Sequence, residues 1–67
     1  MKVVATIAFE DLDSGGEALA IIKAKHDLVG VTLSLRDNGD TEVYMRPADC
    51  RILVDALQKA LAEGAAS

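Results

Sequence analysis

Residues 31–46 alternate apolar and polar side chains on both sides of the tetrapeptide Asp37-Asn38-Gly39-Asp40. Val31, Leu33 and Leu35 interleave with Thr32, Ser34 and Arg36. Thr41, Val43 and Met45 interleave with Glu42, Tyr44 and Arg46. A period of two belongs to a half-buried strand, and two such runs around a glycine-containing turn read as an antiparallel hairpin. Loop length decides which side chains share a face. A two-residue Asn38-Gly39 loop would set Leu35 against Glu42 and Leu33 against Tyr44, mixing the faces. A three-residue loop, Asp37-Asn38-Gly39, sets Leu35 against Thr41, Leu33 against Val43 and Val31 against Met45, with every aliphatic on one side. A one-residue slip would bury the polar set. The expectation is therefore a type I turn with Gly39 left-handed at a bulge.

Two further strands extend this pattern. Val3, Ala5, Ile7 and Phe9 can share one face of a strand, with Val4, Thr6 and Ala8 on the other. Residues 17–25 are ambiguous. Ala, Leu and Lys favour a helix, and Ser14-x-x-Glu17 matches a capping box. Lys23 and Lys25, however, interrupt every candidate helical stripe. As a strand turning at His26-Asp27, the segment sets Ala20, Ile22 and Ala24 against Leu33, Val31 and Val29, and Glu17 against Arg36. The strand is the preferred reading, and its inward alanines would let a helix sit close.

A C-terminal helix follows. Pro47 suits the first helical position and Asp49 complements the dipole in the first turn. Cys50, Leu53, Val54, Leu57, Ala60 and Leu61 form one apolar stripe. Arg51, Asp55, Lys59 and Glu63 step along the other side with alternating sign. Gly64 stands where a left-handed cap would end the helix. The expected fold is α+β: a four-stranded antiparallel β-meander with one C-terminal helix packed on one face, over residues 1–64, with 65–67 as a frayed tail. The alternative is β-α-β-β-α.

Size and composition narrow the function. A chain of 67 residues is one domain with a poor ratio of core to surface. Cys50 is the only cysteine and His26 the only histidine, so neither an intrachain disulfide nor a Cys/His zinc set can support it. Phe9 and Tyr44 are the only aromatics, so the core must come from aliphatics. Packing or self-association has to stabilise such a fold. The net charge of −4 suits a cytoplasmic protein. Scattered basic residues without interleaved aromatics argue against direct nucleic-acid binding. No stretch is a signal peptide or reaches the length of a membrane span.

Candidate sites are few. Asp11-Leu12-Asp13-Ser14-Gly15-Gly16 resembles the start of a calcium loop, but it lacks ligands where Gly15 and Ile22 stand. A plain acidic turn is the expectation, with no metal and no cofactor. Cys50 belongs to the helix stripe and reads as structural, and His26 reads as a solvated turn residue. No nucleophile is given a base by spacing, and so short a chain has little room for a substrate pocket. The sheet face away from the helix is the candidate contact surface, because an exposed apolar patch with Tyr and Arg marks interfaces. Its candidate residues are Val4, Leu19, Ile21, Thr32, Arg36, Tyr44 and Arg46. The expected function is a small non-enzymatic protein-interaction or regulatory module, binding a protein partner or itself as a homodimer. The alternative is a small acidic inhibitor of a nucleic-acid enzyme, encoded by a virus or mobile element.

Overall fold

The computed structural model describes residues 2–36 and 39–66. Four strands run in the order β1 (Lys2–Glu10), β2 (Glu17–Lys25), β3 (Leu28–Leu35) and β4 (Gly39–Met45), and one helix follows, α1 (Pro47–Ala66). Each strand pairs antiparallel with the next, making a single open meander. Residues 17–25 are thus a strand. Val31 and Leu33 across the ladder take up the alternating Ile22 and Ala20, an advantage a helix could not use because of Lys23 and Lys25.

The β2–β3 register agrees with the expectation: Ala20 faces Leu33, Ile22 faces Val31 and Ala24 faces Val29. His26 and Asp27 form the connection, with His26 in the left-handed region at φ 51°. Histidine is among the residues that tolerate this conformation better than most.

The β3–β4 register differs from the expectation by two residues. Leu35 pairs with Gly39, Leu33 with Thr41, Val31 with Val43 and Val29 with Met45. A shift of two leaves every side chain on its face, so alternation alone is blind to it. The opposite face decides. Thr32 now stands against Glu42 and donates a 2.9 Å hydrogen bond to it, while Ser34 donates a 2.6 Å bond to Asp40. Gly39 is left-handed at φ 81°, as expected. The turn type at Asp37-Asn38 lies outside the described residues.

A bulge between Val3 and Ala5 alters β1. Val3 pairs with Lys23 and Ala5 with Ile22, leaving Val4 as the extra residue without a partner in β2. Val3 therefore leaves the face shared by Ala5, Ile7 and Phe9, and Val4 is not a regular member of the opposite face.

The helix also corrects the expectation. It continues through Gly64 to Ala66, so Gly64 is a helical residue and not a left-handed cap. Alanine is the strongest helix former, and one glycine, costing about 1 kcal/mol, does not outweigh Ala62, Ala65 and Ala66 around it. Ser67 lies outside the described residues.

The two faces of the sheet differ sharply. From Ala5 onward the inner face carries Ile7 and Phe9 on β1, alanines with Ile22 on β2, and Val29, Val31, Leu33 and Leu35 on β3, with Val43 and Met45 on β4. The helix meets this sheet chiefly and sparingly along β3. Ala18, at 2 % exposure, is the one buried hydrophobic residue among those described. Phe9 and Leu33 each keep 47 % of their surface in solvent, and Leu57 on the helix stripe keeps 56 %.

Candidate functional site

From Lys23 across to β4 the outer face is polar and internally paired, while Leu19 and Ile21 of β2 give it an apolar part. Lys23 reaches across β3 to Glu42, with Nζ 2.7 Å from Oε2. The same carboxylate oxygen accepts the Thr32 hydroxyl, and the Tyr44 side chain also hydrogen-bonds Glu42. The Lys23 ammonium, more than any other group, holds the Glu42 carboxyl below its ordinary range; the Thr32 and Tyr44 bonds add to this. Reciprocally, the hydrogen bond to Glu42 raises Lys23 above the usual lysine value. Gly30 makes this crossing possible, because β3 carries no side chain between Lys23 and Tyr44.

The seven candidate contact residues fare unequally. Leu19 and Ile21 lie on the outer face of β2, and Tyr44 on the outer face of β4, all on the same side as Thr32. Thr32, however, is only 7 % exposed beneath the Lys23–Glu42 bridge. Arg36 is held by Glu17, with Nη1 3.2 Å from Oε2, and Arg46 by Asp49, with Nε 3.1 Å from Oδ2. Val4 sits apart at the bulge.

The Asp11–Gly16 loop closes on itself. Asp11 accepts the Asp13 amide at 3.1 Å and the Ser14 hydroxyl at 2.8 Å, and its own amide donates to the Gly16 carbonyl at 2.9 Å. The Ser14 bond chiefly, then the Asp13 amide, keeps the Asp11 carboxyl below its usual range. This is a self-satisfied acidic turn, with Gly15 left-handed at φ 77°. Among the described residues no group of three or more His, Cys, Asp or Glu could hold a metal ion. No helix among them is long and apolar enough to cross a membrane.

Two open depressions lie at the sheet end that carries this loop. One of about 560 Å³ is lined by Ala8, Leu19 and Ser34 together with the Glu17–Arg36 pair. The other, about 380 Å³, opens on the inner face between Phe9, Ala18, Leu33 and Leu35. Neither is lined by Cys50 or His26. The second depression continues a short groove: β2 contributes Ala18 and Ala20 between the larger side chains of β1 and β3, and Ile22 bounds it.

The exposure of this inner face is what sequence reasoning passed over. Its signal was present in the strand count. Four strands at about 4.8 Å spacing present a face well over 14 Å wide, whereas one helix covers a strip about 10 Å wide.

The chain matches no protein-family model, and no curated protein or solved structure shows significant similarity to it.

Proposed function

We propose that the protein is a non-enzymatic protein-interaction module that works as a homodimer. The observation that carries this reading is how much surface one chain leaves in solvent. The chain exposes 5304 Å². A folded monomer of 7.1 kDa is expected to expose about 4,100 Å². Its radius of gyration, 13.3 Å, likewise exceeds the roughly 11 Å of a compact chain of this length. With no disulfide to support it, a domain with so little core is stabilised by association.

Sedimentation equilibrium tests the reading. A dimer is expected at micromolar concentration, with a melting temperature that rises with protein concentration. A folded monomer at millimolar concentration would defeat it.

A second reading, an acidic inhibitor of a nucleic-acid enzyme of a virus or mobile element, draws on one feature. Glu10, Asp11, Asp13, Glu17 and Asp40 gather at the sheet end where β1 meets β2 and β3 meets β4. Arg36 is the only cation there among the described residues. Glu42 is not part of this cluster, since Lys23 and Thr32 engage it. The paired substitution Asp13→Asn and Asp40→Asn should abolish inhibition of a purified nucleic-acid enzyme, and a wild type that inhibits none defeats this reading.

A further inference from the structure

We infer that the interface between the two copies is formed by the inner sheet face and the helix stripe, each helix lying on the other chain's sheet. This rests on the homodimer reading above and assigns its surface. The outer face, the expected interface, is left outside it.

Three observations carry the assignment. The first is area. The excess of about 1,200 Å² per chain amounts to about 2,400 Å² for a pair, within the range of obligate homodimers. Much of the exposed apolar surface lies on the inner face and the helix stripe, at Ile7, Phe9, Leu33, Val43, Leu57 and Leu61; the rest is scattered over Val3 and Val4 at the bulge, Leu12 in the loop, the outer face and Ile52.

The second is shape. Small residues at Ala18 and Ala20 make a groove at one end of β2, flanked by Ile7 and Phe9 on one side and Leu33 and Leu35 on the other, and Ile22 bounds it before Ala24. A helix needs such a groove to approach closely. The chain's own helix approaches along β3 instead. A second copy supplies a helix of 20 residues, about 30 Å long, which matches a nine-residue strand of about 30 Å.

The third is charge. From Ala5 onward the inner face bears no charged residue, and neither does the stripe Cys50, Leu53, Val54, Leu57, Ala60, Leu61. Charges are depleted at the centre of interfaces. Each copy carries a net charge of −4, and an uncharged contact brings no like charges together. The charged row Arg51, Asp55, Lys59 and Glu63 remains free to face water. A two-fold exchange satisfies both apolar surfaces at once, because each chain offers the same two.

The test compares Leu33→Glu on the inner face and Leu57→Glu on the stripe with Leu19→Glu on the outer face. Sedimentation should show the dissociation constant raised at least about 100-fold by either of the first two, since each buries an unpaired charge, and changed less than about threefold by Leu19→Glu. Should the first two variants unfold, hydroxyl-radical footprinting of the wild-type dimer decides. Phe9 and Leu57 are then expected to be protected, and Tyr44 and Leu12 modified. Dissociation by Leu19→Glu alone, or protection of Tyr44 with Phe9 modified, would overturn the assignment while leaving the homodimer intact. A monomeric wild type would remove the homodimer reading itself, and the assignment with it.

Discussion

Tyr44 occupies the space that a side chain at Gly30 would need. The two residues face each other across β3 and β4, and a Cβ at position 30 would come within 2.7 Å of Tyr44 Cε1 and 3.0 Å of Cδ1. Glycine interrupts strands at an entropic cost, and an aromatic ring laid over it is a recognised compensation. Here the Tyr44 hydroxyl also donates to Glu42, so Gly30 joins the backbone ladder to the Lys23–Glu42–Thr32 cluster.

Gly30→Ala should therefore destabilise the protein by about 1–3 kcal/mol, the usual range for forcing extra volume into a packed site. In a Tyr44→Ala background the cost should largely vanish, which a double-mutant cycle by urea unfolding at fixed protein concentration would detect. Additive effects of the two substitutions would mean that the ring does not rest on Gly30.

The two glycines farther along the chain carry opposite expectations. Gly39 is left-handed, at φ 81°, with nothing within 4 Å of its missing Cβ. Only the backbone opposes a side chain there, so Gly39→Val should cost more than about 1 kcal/mol. Gly64 is helical and its missing Cβ also faces open space. Gly64→Ala should stabilise by roughly 0.5–1 kcal/mol on helix propensity. If Gly64 were a left-handed cap instead, the same substitution would lower the melting temperature, so one thermal scan separates the two geometries.

The parts of the fold that were legible in the sequence share one property: a face had to be chosen. Lys23 and Lys25 could not be buried, so residues 17–25 had to alternate, and the β2–β3 register followed from Ala20, Ile22 and Ala24. Where the choice was between equal faces, alternation was silent. The two-residue offset of β4 depends on Thr32 meeting Glu42 and Ser34 meeting Asp40, which are pairings between polar residues. The bulge at Val4 lay within an unbroken apolar run, Val3-Val4-Ala5, where a change of face leaves no trace in the pattern. Gly64 suited both a cap and an interior position, and the alanines after it decided. The exposure of the inner side was missed for a geometric reason: the helix was taken to cover it, and one helix cannot cover four strands.

The Lys23–Glu42 bridge predicts a stability loss at both ends of the pH scale. Glu42 ionises below its ordinary value of 4.5 in the folded chain, chiefly because of Lys23. Its contribution is therefore present above 4.5 and is lost as pH falls through the lower folded value. Lys23 is raised above 10.5, so its contribution is present below 10.5 and is lost as pH rises through the higher folded value. Glu42→Gln should flatten both limbs of the melting temperature against pH. The acid limb should keep a residue of slope, because Asp11, held low by Ser14 and Asp13, titrates in the same direction. Acid and alkaline limbs unchanged in Glu42→Gln would show that the bridge is not formed in solution.

Cys50 offers a probe of the helix stripe that requires no substitution. It sits in the first turn of α1, where its amide donates to the Arg46 carbonyl at 3.0 Å, and it is half-buried in the single chain. The reactive species of a thiol is the thiolate, so labelling reports both ionisation and access. Within one chain, partial cover should slow a thiol reagent several-fold relative to denaturant. If the stripe also lies against a second copy, the cover is completed, and the native rate should fall further as protein concentration rises through the dissociation constant. The reagent rate measured across a hundred-fold range of protein concentration distinguishes the cases. A rate that declines with concentration places Cys50 under the partner, and a constant but slowed rate confines its protection to its own chain. Equal rates in native buffer and in denaturant would mean that the stripe beginning at Cys50 packs on nothing.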